Sequence, residues 1–358
     1  MKNILVTGGA GFIGTNFILS MFKAGGFERL VNLDLLTYAG NIDNLHELAG
    51  DPHYHFIQAD IRDLEAVSRV VMEQEIDTIV NFAAETHVDR SILGPIQFLE
   101  TNMVGTGCLL EAARAAWAGR GADEVRFHHI STDEVFGSLA PEESPFSERT
   151  AYAPNSPYSA SKAGSDHLVR AYRHTYGLPV TLSNCTNNYG PYQYPEKLIP
   201  LVILNCLTGK PIPVYGDGRQ VRDWLYVEDH CDAIRVILER GRVGETYLIG
   251  GDNQPTNLEI IRSITDIFDE IRPDSPYKPH FNLVQFVKDR PGHDRRYDMD
   301  ISRIEHELGW KPKISLQEGL RKTVTWYLQH LEWLDNLSEK PELKAWMVHS
   351  FLHDALPI

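Results

Sequence analysis

Tyr158-Ser159-Ala160-Ser161-Lys162 sets a phenol and an ammonium four residues apart, on one face of a helix. A neighbouring cation lowers a phenol's pKa, which suits tyrosine to remove a proton from a substrate hydroxyl. Upstream, the apolar run 126–131 ends at Ser131-Thr132, where a hydroxyl can hold the same substrate oxygen. Asp133 and Glu134 follow at once. Two adjacent carboxyl groups, partly desolvated, raise each other's pKa, so one stays protonated while the other acts as a base. Eliminating water needs that division: a base for a carbon-bound proton and an acid for the departing hydroxyl. Thr132, Asp133, Glu134, Tyr158 and Lys162 are the candidate catalytic set.

These residues need a frame. Ile4–Thr7, Leu30–Asp34, His55–Gln58, Thr78–Phe82 and Arg126–Ser131 read as strands, separated by helical patterns at Ile13–Lys23, Leu64–Glu75 and Thr101–Ala118. Repeated strand–helix units predict an α/β fold, a doubly wound parallel sheet that binds ligands at the carboxyl ends of its strands. Tyr158–Tyr176 reads as a helix and Val180–Ser183 as a strand, with a return to the sheet near 225–250 and a closing helix at Ile314–Leu331. The expected division is a dinucleotide-binding domain over 1–187, a smaller, discontinuous α/β substrate-binding domain mainly over 188–335, and an unassigned tail at 338–358.

Gly8-Gly9-Ala10-Gly11-Phe12-Ile13-Gly14 lies between the first strand and the first helix. Gly8 allows the tight turn, Gly11 lets a pyrophosphate approach, and Gly14 permits close helix–strand packing. Asp34, about 20 residues on, is placed to grip ribose hydroxyls and repels a 2′-phosphate, so NAD is favoured over NADP. Asp60-Ile61, ending the third strand, is placed to reach the adenine.

Composition narrows the class. Lys and Arg number 34 against 49 Asp and Glu, a net charge of −15 that disfavours nucleic-acid binding. Cys108, Cys185, Cys206 and Cys231 form no CxxC pair, which points to a reducing compartment. The run Leu198–Leu207 is too short to span a bilayer, and the first residues do not read as a signal peptide. A cytoplasmic protein without membrane contact is expected. The pairs His53/His55 and His128-His129 lack a convergent ligand set, so no metal site is expected.

The stretches Gly8–Gly14, Asp34–Asn41, Ala83–Ser91, Ser131–Gly137, Tyr158–Lys162, Asn184–Leu201, Pro213–His230 and Asp289–Asp294 together resemble the dTDP-glucose 4,6-dehydratases, a branch of the extended short-chain dehydrogenases/reductases. Thr86 and Phe136 stand where that family usually has Ser and Tyr. The resemblance implies a Rossmann-like fold and a tightly bound NAD held by Gly8, Gly11, Phe12, Ile13, Gly14, Asp34, Leu35, Leu36, Thr37, Asp60, Ile61, Ala83, Ala84, Thr101, Tyr158, Lys162 and Asn188. For a dTDP-glucose substrate it implies Glu85, Thr86, His87, Thr132, Asn187, Lys197, Leu198, Pro213, Val214, Tyr215, Arg222, Asn257, Asp289, Arg290, Pro291, Gly292 and His293, with Arg295 a further candidate cation. It implies oxidation at C4, loss of water across C5 and C6, and hydride return to C6. The alternatives are a related dehydratase, epimerase or decarboxylase acting on a UDP-, GDP- or CDP-sugar, of which an epimerase would not need the adjacent Asp133-Glu134 pair, and a non-catalytic NAD sensor, which would not need Tyr158 with Lys162.

Leu109, Leu110, Ala113 and Trp117, with Leu168, Val169 and Tyr172, fit packing of two helices on their own sheet. In the family the same two helices pair with their copies, so a homodimer is expected.

Overall fold

Seven short strands, six of them buried along nearly their whole length, form the central sheet. They are β1 (Asn3–Thr7), β2 (Arg29–Asp34), β3 (Tyr54–Gln58), β4 (Thr78–Asn81), β5 (Arg126–Thr132), β6 (Val180–Cys185) and β10 (Thr246–Ile249). In the computed structural model, which describes residues 1–289, 292–341 and 343, they run in the order β10-β6-β5-β4-β1-β2-β3. Every pairing is parallel, with Ile4 opposite both Leu30 and Thr78, and Thr246 opposite Leu182. The winding reverses between β1 and β4, which opens a crevice at their carboxyl ends. The expected parallel sheet is present, and the chain does return to it before residue 250.

Helices cover both faces. On one side α2 (Leu64–Glu73), α5 (Thr106–Ala116) and α6 (Pro157–Tyr176) bury Val67, Leu109, Leu110, Ala113, Trp117 and Val169 against Leu5, Val31 and Phe127. On the other, α1 (Phe12–Ala24) and α8 (Val227–Arg240) pack Phe17, Ile18, Val227 and Ile234 on Ile4 and Val6. Between β4 and α5 lie α3 (Val88–Leu93) and α4 (Pro95–Phe98). Beyond β6 come β7 (Asn187–Tyr189), α7 (Leu198–Thr208), β8 (Ile212–Tyr215) and β9 (Trp224–Tyr226). After β10 follow α9 (Asn257–Ile271), β11 (Val284–Val287), α10 (Ser302–Leu308), α11 (Leu316–Gln329) and α12 (Leu331–Ser338). Two small parallel pairs, β7–β9 and β8–β11, accompany a second core in which Ile203, Ile260, Ile264, Phe268 and Val324 meet.

The boundaries of α6 follow from its ends. Ser156 and Ser159 form a reciprocal cap, Pro157 occupies the first turn, and Gly177 stops the helix at φ 71°. Two expected helices differ. The pattern at 101–118 is not one α-helix: Leu99–Gly105 is wound as a π-helix and α-geometry begins at Thr106. Asn102 turns inward there, donating to the Glu85 carbonyl (3.1 Å) and the Ser161 hydroxyl (2.8 Å). Gly105 meanwhile lies so close to Ile61 that a Cβ would sit 2.5 Å from its Cδ1. Wider turns of this kind often mark functional sites. The closing helix expected at 314–331 is α11, with α12 a separate turn beyond it.

Leu109, Leu110, Ala113, Trp117 and Val169 are buried in this chain's own core. The apolar residues left outside on the same flank belong to the preceding turns: Leu93 is 70% exposed, Ile96 62% and Val104 55%, with Ile92 and Leu99 beside them. Arg290, Pro291 and most of the 338–358 tail lie outside the described residues.

Candidate active site

At the reversal of winding, Gly8 takes φ +69° and lies against the end of β4, where a Cβ would come within 2.7 Å of the Ala83 nitrogen. Gly14 packs under the same turn, its missing Cβ 2.3 Å from the Gly8 carbonyl oxygen. Gly11 caps α1 with no side-chain acceptor, so the helix presents free N–H groups and a partial positive charge to the crevice. Asp34, at the end of β2, accepts from the Ala10 (2.9 Å) and Leu36 (2.8 Å) N–H groups. Burial raises its pKa and those two N–H groups oppose the rise. The acid thus fastens the glycine turn to β2, and each oxygen keeps a lone pair for a diol. Loop, uncapped helix and acid fit a dinucleotide with an unphosphorylated 2′-hydroxyl.

A cleft of about 340 Å³ runs from this turn to the end of β6. Sixteen of the seventeen expected cofactor residues line it; Leu36, held at φ 57°, does not. Asp60 is present on the wall, but its carboxylate is engaged by Arg62, 2.9 Å from Nε and 2.6 Å from NH2.

All five expected catalytic residues meet at the far end of the cleft. Thr132 ends β5 and accepts from the Glu134 N–H (3.3 Å), while its hydroxyl donates to Asp133 Oδ1 (3.1 Å). Asp133 is 1% exposed; burial and the Glu134 charge hold its carboxyl well above the usual range. Tyr158 and Lys162 project from α6, and Lys162 Nζ donates to the Ile130 carbonyl at 2.8 Å. The buried Tyr158 phenol stands among acids. Burial and the neighbouring Glu134, Cys185 and Asp133 push it well above 10, opposed by a hydrogen bond with Thr132. In the chain alone, the desolvated phenol among acids outweighs the cation one turn away.

Glu85, Thr86, Asn187 and Lys197 also line the cleft. Burial raises the Glu85 pKa, and Gln97 donates to its Oε1 at 3.0 Å. Lys197 donates to the Thr86 carbonyl at 3.2 Å, and Asn188 meets His230 at 2.9 Å. His87 instead caps α3, and Leu198 opens α7 among the second core's side chains. Pro213, Val214 and Tyr215 form β8, away from the cleft wall. Near them, Asp289 binds His293 (2.6 Å) and Gln220 (3.1 Å), and Gly292 takes φ +65°. Arg222 stacks 4.1 Å over Tyr297 and donates to the Asp294 carbonyl. Asn257 starts α9, its N–H held by the Gln220 carbonyl at 2.9 Å. Arg295 is paired with Asp217. These substrate candidates gather beside the cleft rather than on it. Phe136 is buried against Phe146 and Tyr152, off the cleft.

The cleft also holds residues that spacing did not reveal. Glu196 is buried, accepts from Tyr38 at 2.9 Å and lies 3.5 Å from Arg90. Its only sequence signal is its place beside Lys197. His128 sits between Thr181 and Ser183, and His129 faces Asp166, both inside the sheet layer.

The family model described as GDP-mannose 4,6 dehydratase matches residues 5–323. A dTDP-glucose 4,6-dehydratase from Xanthomonas campestris is 54% identical over 340 residues, 94% of this chain and 96% of that protein. The solved dTDP-glucose 4,6-dehydratase from Streptomyces venezuelae, with NAD bound, superposes with a TM-score of 0.86 at 45% identity, over 94% of this chain and 100% of that one. A UDP-glucose 4-epimerase from Thermotoga maritima shares the fold at a TM-score of 0.80 but only 28% identity, over 92% and 99% of the two chains. With Asp133 and Glu134 meeting Thr132, Tyr158 and Lys162 in one cleft, the chain belongs to the dTDP-glucose 4,6-dehydratases, within the wider nucleotide-sugar dehydratase family.

Proposed function

We propose that this chain is an NAD-dependent hydro-lyase that converts dTDP-glucose to dTDP-4-dehydro-6-deoxy-glucose and water. The observation that carries the reading is the buried Asp133, its carboxyl held well above the usual range, next to Glu134 at the mouth of a dinucleotide cleft. NAD held at the glycine turn and Asp34 would supply reversible hydride transfer, which makes the net reaction an elimination. Tyr158, in the same cleft wall as Thr132, takes the proton of the C4 hydroxyl, and the buried Lys162 ammonium stabilises the charge that develops there. A ketone at C4 acidifies the C5 hydrogen, which an unactivated sugar would not release. Glu134 removes that proton and returns one to C5 when C6 is reduced. Asp133, its carboxyl held well above the usual range, gives the C6 hydroxyl the proton it needs in order to leave as water. Glu85, Thr86 and Asn187 border the sugar, and Lys197, Arg222 and Arg290 supply cations for the diphosphate.

The same reading includes a homodimer and a cytoplasmic location. The exposed row of Ile92, Leu93, Ile96, Leu99 and Val104 supports the first, since a stripe of this kind on an acidic surface suits a second copy of itself. Four free thiols support the second. Among the described residues, no helix is long and apolar enough to cross a membrane.

Glu134→Gln keeps shape and removes the base. Nucleotide-sugar binding is expected to persist while turnover, and exchange of the C5 hydrogen with solvent, fall by about 10²–10⁴-fold. Unchanged turnover of dTDP-glucose would remove Glu134 from this role. For Asp133 the folded-state pKa is raised, so the fold loses stability as pH climbs from the unfolded value of about 4 toward the folded one. Asp133→Asn should therefore melt no lower than the parent at pH 8 while turning over about 10²-fold more slowly; a lower melting temperature at that pH would contradict the assignment. Finally, Leu93→Asp combined with Ile96→Asp should sediment as a folded monomer where the parent sediments as a dimer. An unaltered dimer would place the interface elsewhere.

A further inference from the structure

One fully buried carboxylate takes no part in the steps above. Asp166 continues the stripe of Tyr158 and Lys162 along α6, one turn further on, and is 0% exposed. Its Oδ2 accepts from the Ser131 hydroxyl (2.8 Å), the Tyr152 hydroxyl (2.8 Å) and the Asn184 side-chain amide (3.3 Å). Its Oδ1 lies 3.4 Å from His129 Nε2. The donors come from β5, from the loop before α6 and from β6, so one carboxylate ties three elements to the helix that bears Tyr158 and Lys162. Asn184 carries the tie onward by donating to the Thr132 carbonyl at 3.0 Å.

An unpaired buried carboxylate costs several kcal/mol, so a group this enclosed persists as an anion only because its environment favours the charge. Burial alone would raise its pKa. The His129 imidazole alongside, the charge of Lys162 and the Tyr152 hydroxyl reverse the sign and bring it below the usual carboxylate range. Lys162 shows the converse: burial lowers its pKa, and Asp166, followed by Cys185 of β6, opposes the fall. The other ionisable groups facing the pair are Arg170 of α6, which donates to Tyr152 at 2.7 Å, and the Tyr158 phenol. Nothing in a purely structural role requires a charge at this position, since a neutral amide could also span the three elements.

We propose that Asp166 is a positioning residue for the reaction: from one helical turn beyond the Lys162 ammonium, it fixes the end of β5 that carries Thr132 against α6 through Ser131 and Asn184. This rests on the functional reading given above. The two fail separately, because a parent enzyme that ignores dTDP-glucose defeats that reading, whereas an active parent with an indifferent variant defeats this one.

The test is Asp166→Asn, compared with the parent for kcat and KM across pH and for thermal melting. The amide keeps the size and loses the charge. Expected are a fall in kcat of about tenfold or more with KM within about threefold. The alkaline limb of kcat should also move about one unit toward lower pH, because Lys162 gives up its proton sooner without the anion. Tyr152→Phe is the second variant, for use even if the first does not fold: it removes one donor and keeps the ring against Phe136. Its carboxylate protonates more readily, so the acidic limb of kcat should move to higher pH. Unmoved pH limbs in the folded variants overturn the proposal, whether kcat is unchanged or falls in step with melting temperature.

Discussion

Desolvation at the carboxyl edge of one parallel sheet sets the chemistry of this protein. Asp133, just past the end of β5, and Tyr158, Lys162 and Asp166 on α6 are all buried, and water is too scarce there to level their charges. In such a place each ionisable group takes the state its neighbours dictate. Burial and Glu134 push the Asp133 carboxyl up; His129, Lys162 and donors from three elements pull Asp166 down. Two aspartates with the same intrinsic acidity thereby shift in opposite directions, and elimination of water needs such a contrast between an acid and its surroundings.

The sheet serves this arrangement by being parallel and by reversing its winding between β1 and β4. Reversal opens the crevice, and the glycine turn lines its floor because Gly8 and Gly14 leave no room for a Cβ. Asp34 fastens that turn to β2, so the group that faces a ribose also fixes the backbone that faces the phosphates. From there the cleft leads past β4 to β5, where Thr132 joins the carboxylate pair. Across the cleft, Glu196 bridges Tyr38 and Arg90 and thereby links the segment after β2 to the loop before α7.

Much of this was legible from local spacing. The glycine loop, Asp34 and the Tyr158–Lys162 pair each depend on contacts within one turn or one strand–helix unit, and short-range geometry settles them. The parallel sheet was legible from the apolar runs, including its return before residue 250. What escaped depends on contacts between distant segments. Asp166 acquires meaning only when β5, β6 and the Tyr152 loop close around it, and Glu196 only when Arg90 and Tyr38 arrive. The π-wound turn at Leu99–Gly105 was hidden because its apolar pattern is also that of an ordinary helix; the inward pull of Asn102 and the crowding of Gly105 by Ile61 are tertiary. Spacing likewise shows the ammonium near the phenol but not its burial or the acids of another segment. The substrate-side residues at β8, α9 and Asp289–His293 came from resemblance alone, and they gather beside the main cleft, not along it.

The central claim is that the sugar is oxidised at C4 only for as long as C5 must be acidic. dTDP-glucose carrying deuterium at C4 tests it most directly, with the product examined by mass spectrometry and NMR. The account predicts that the label reappears on the C6 methyl group of the same molecule. A methyl group free of deuterium, with the label lost to water, would contradict it.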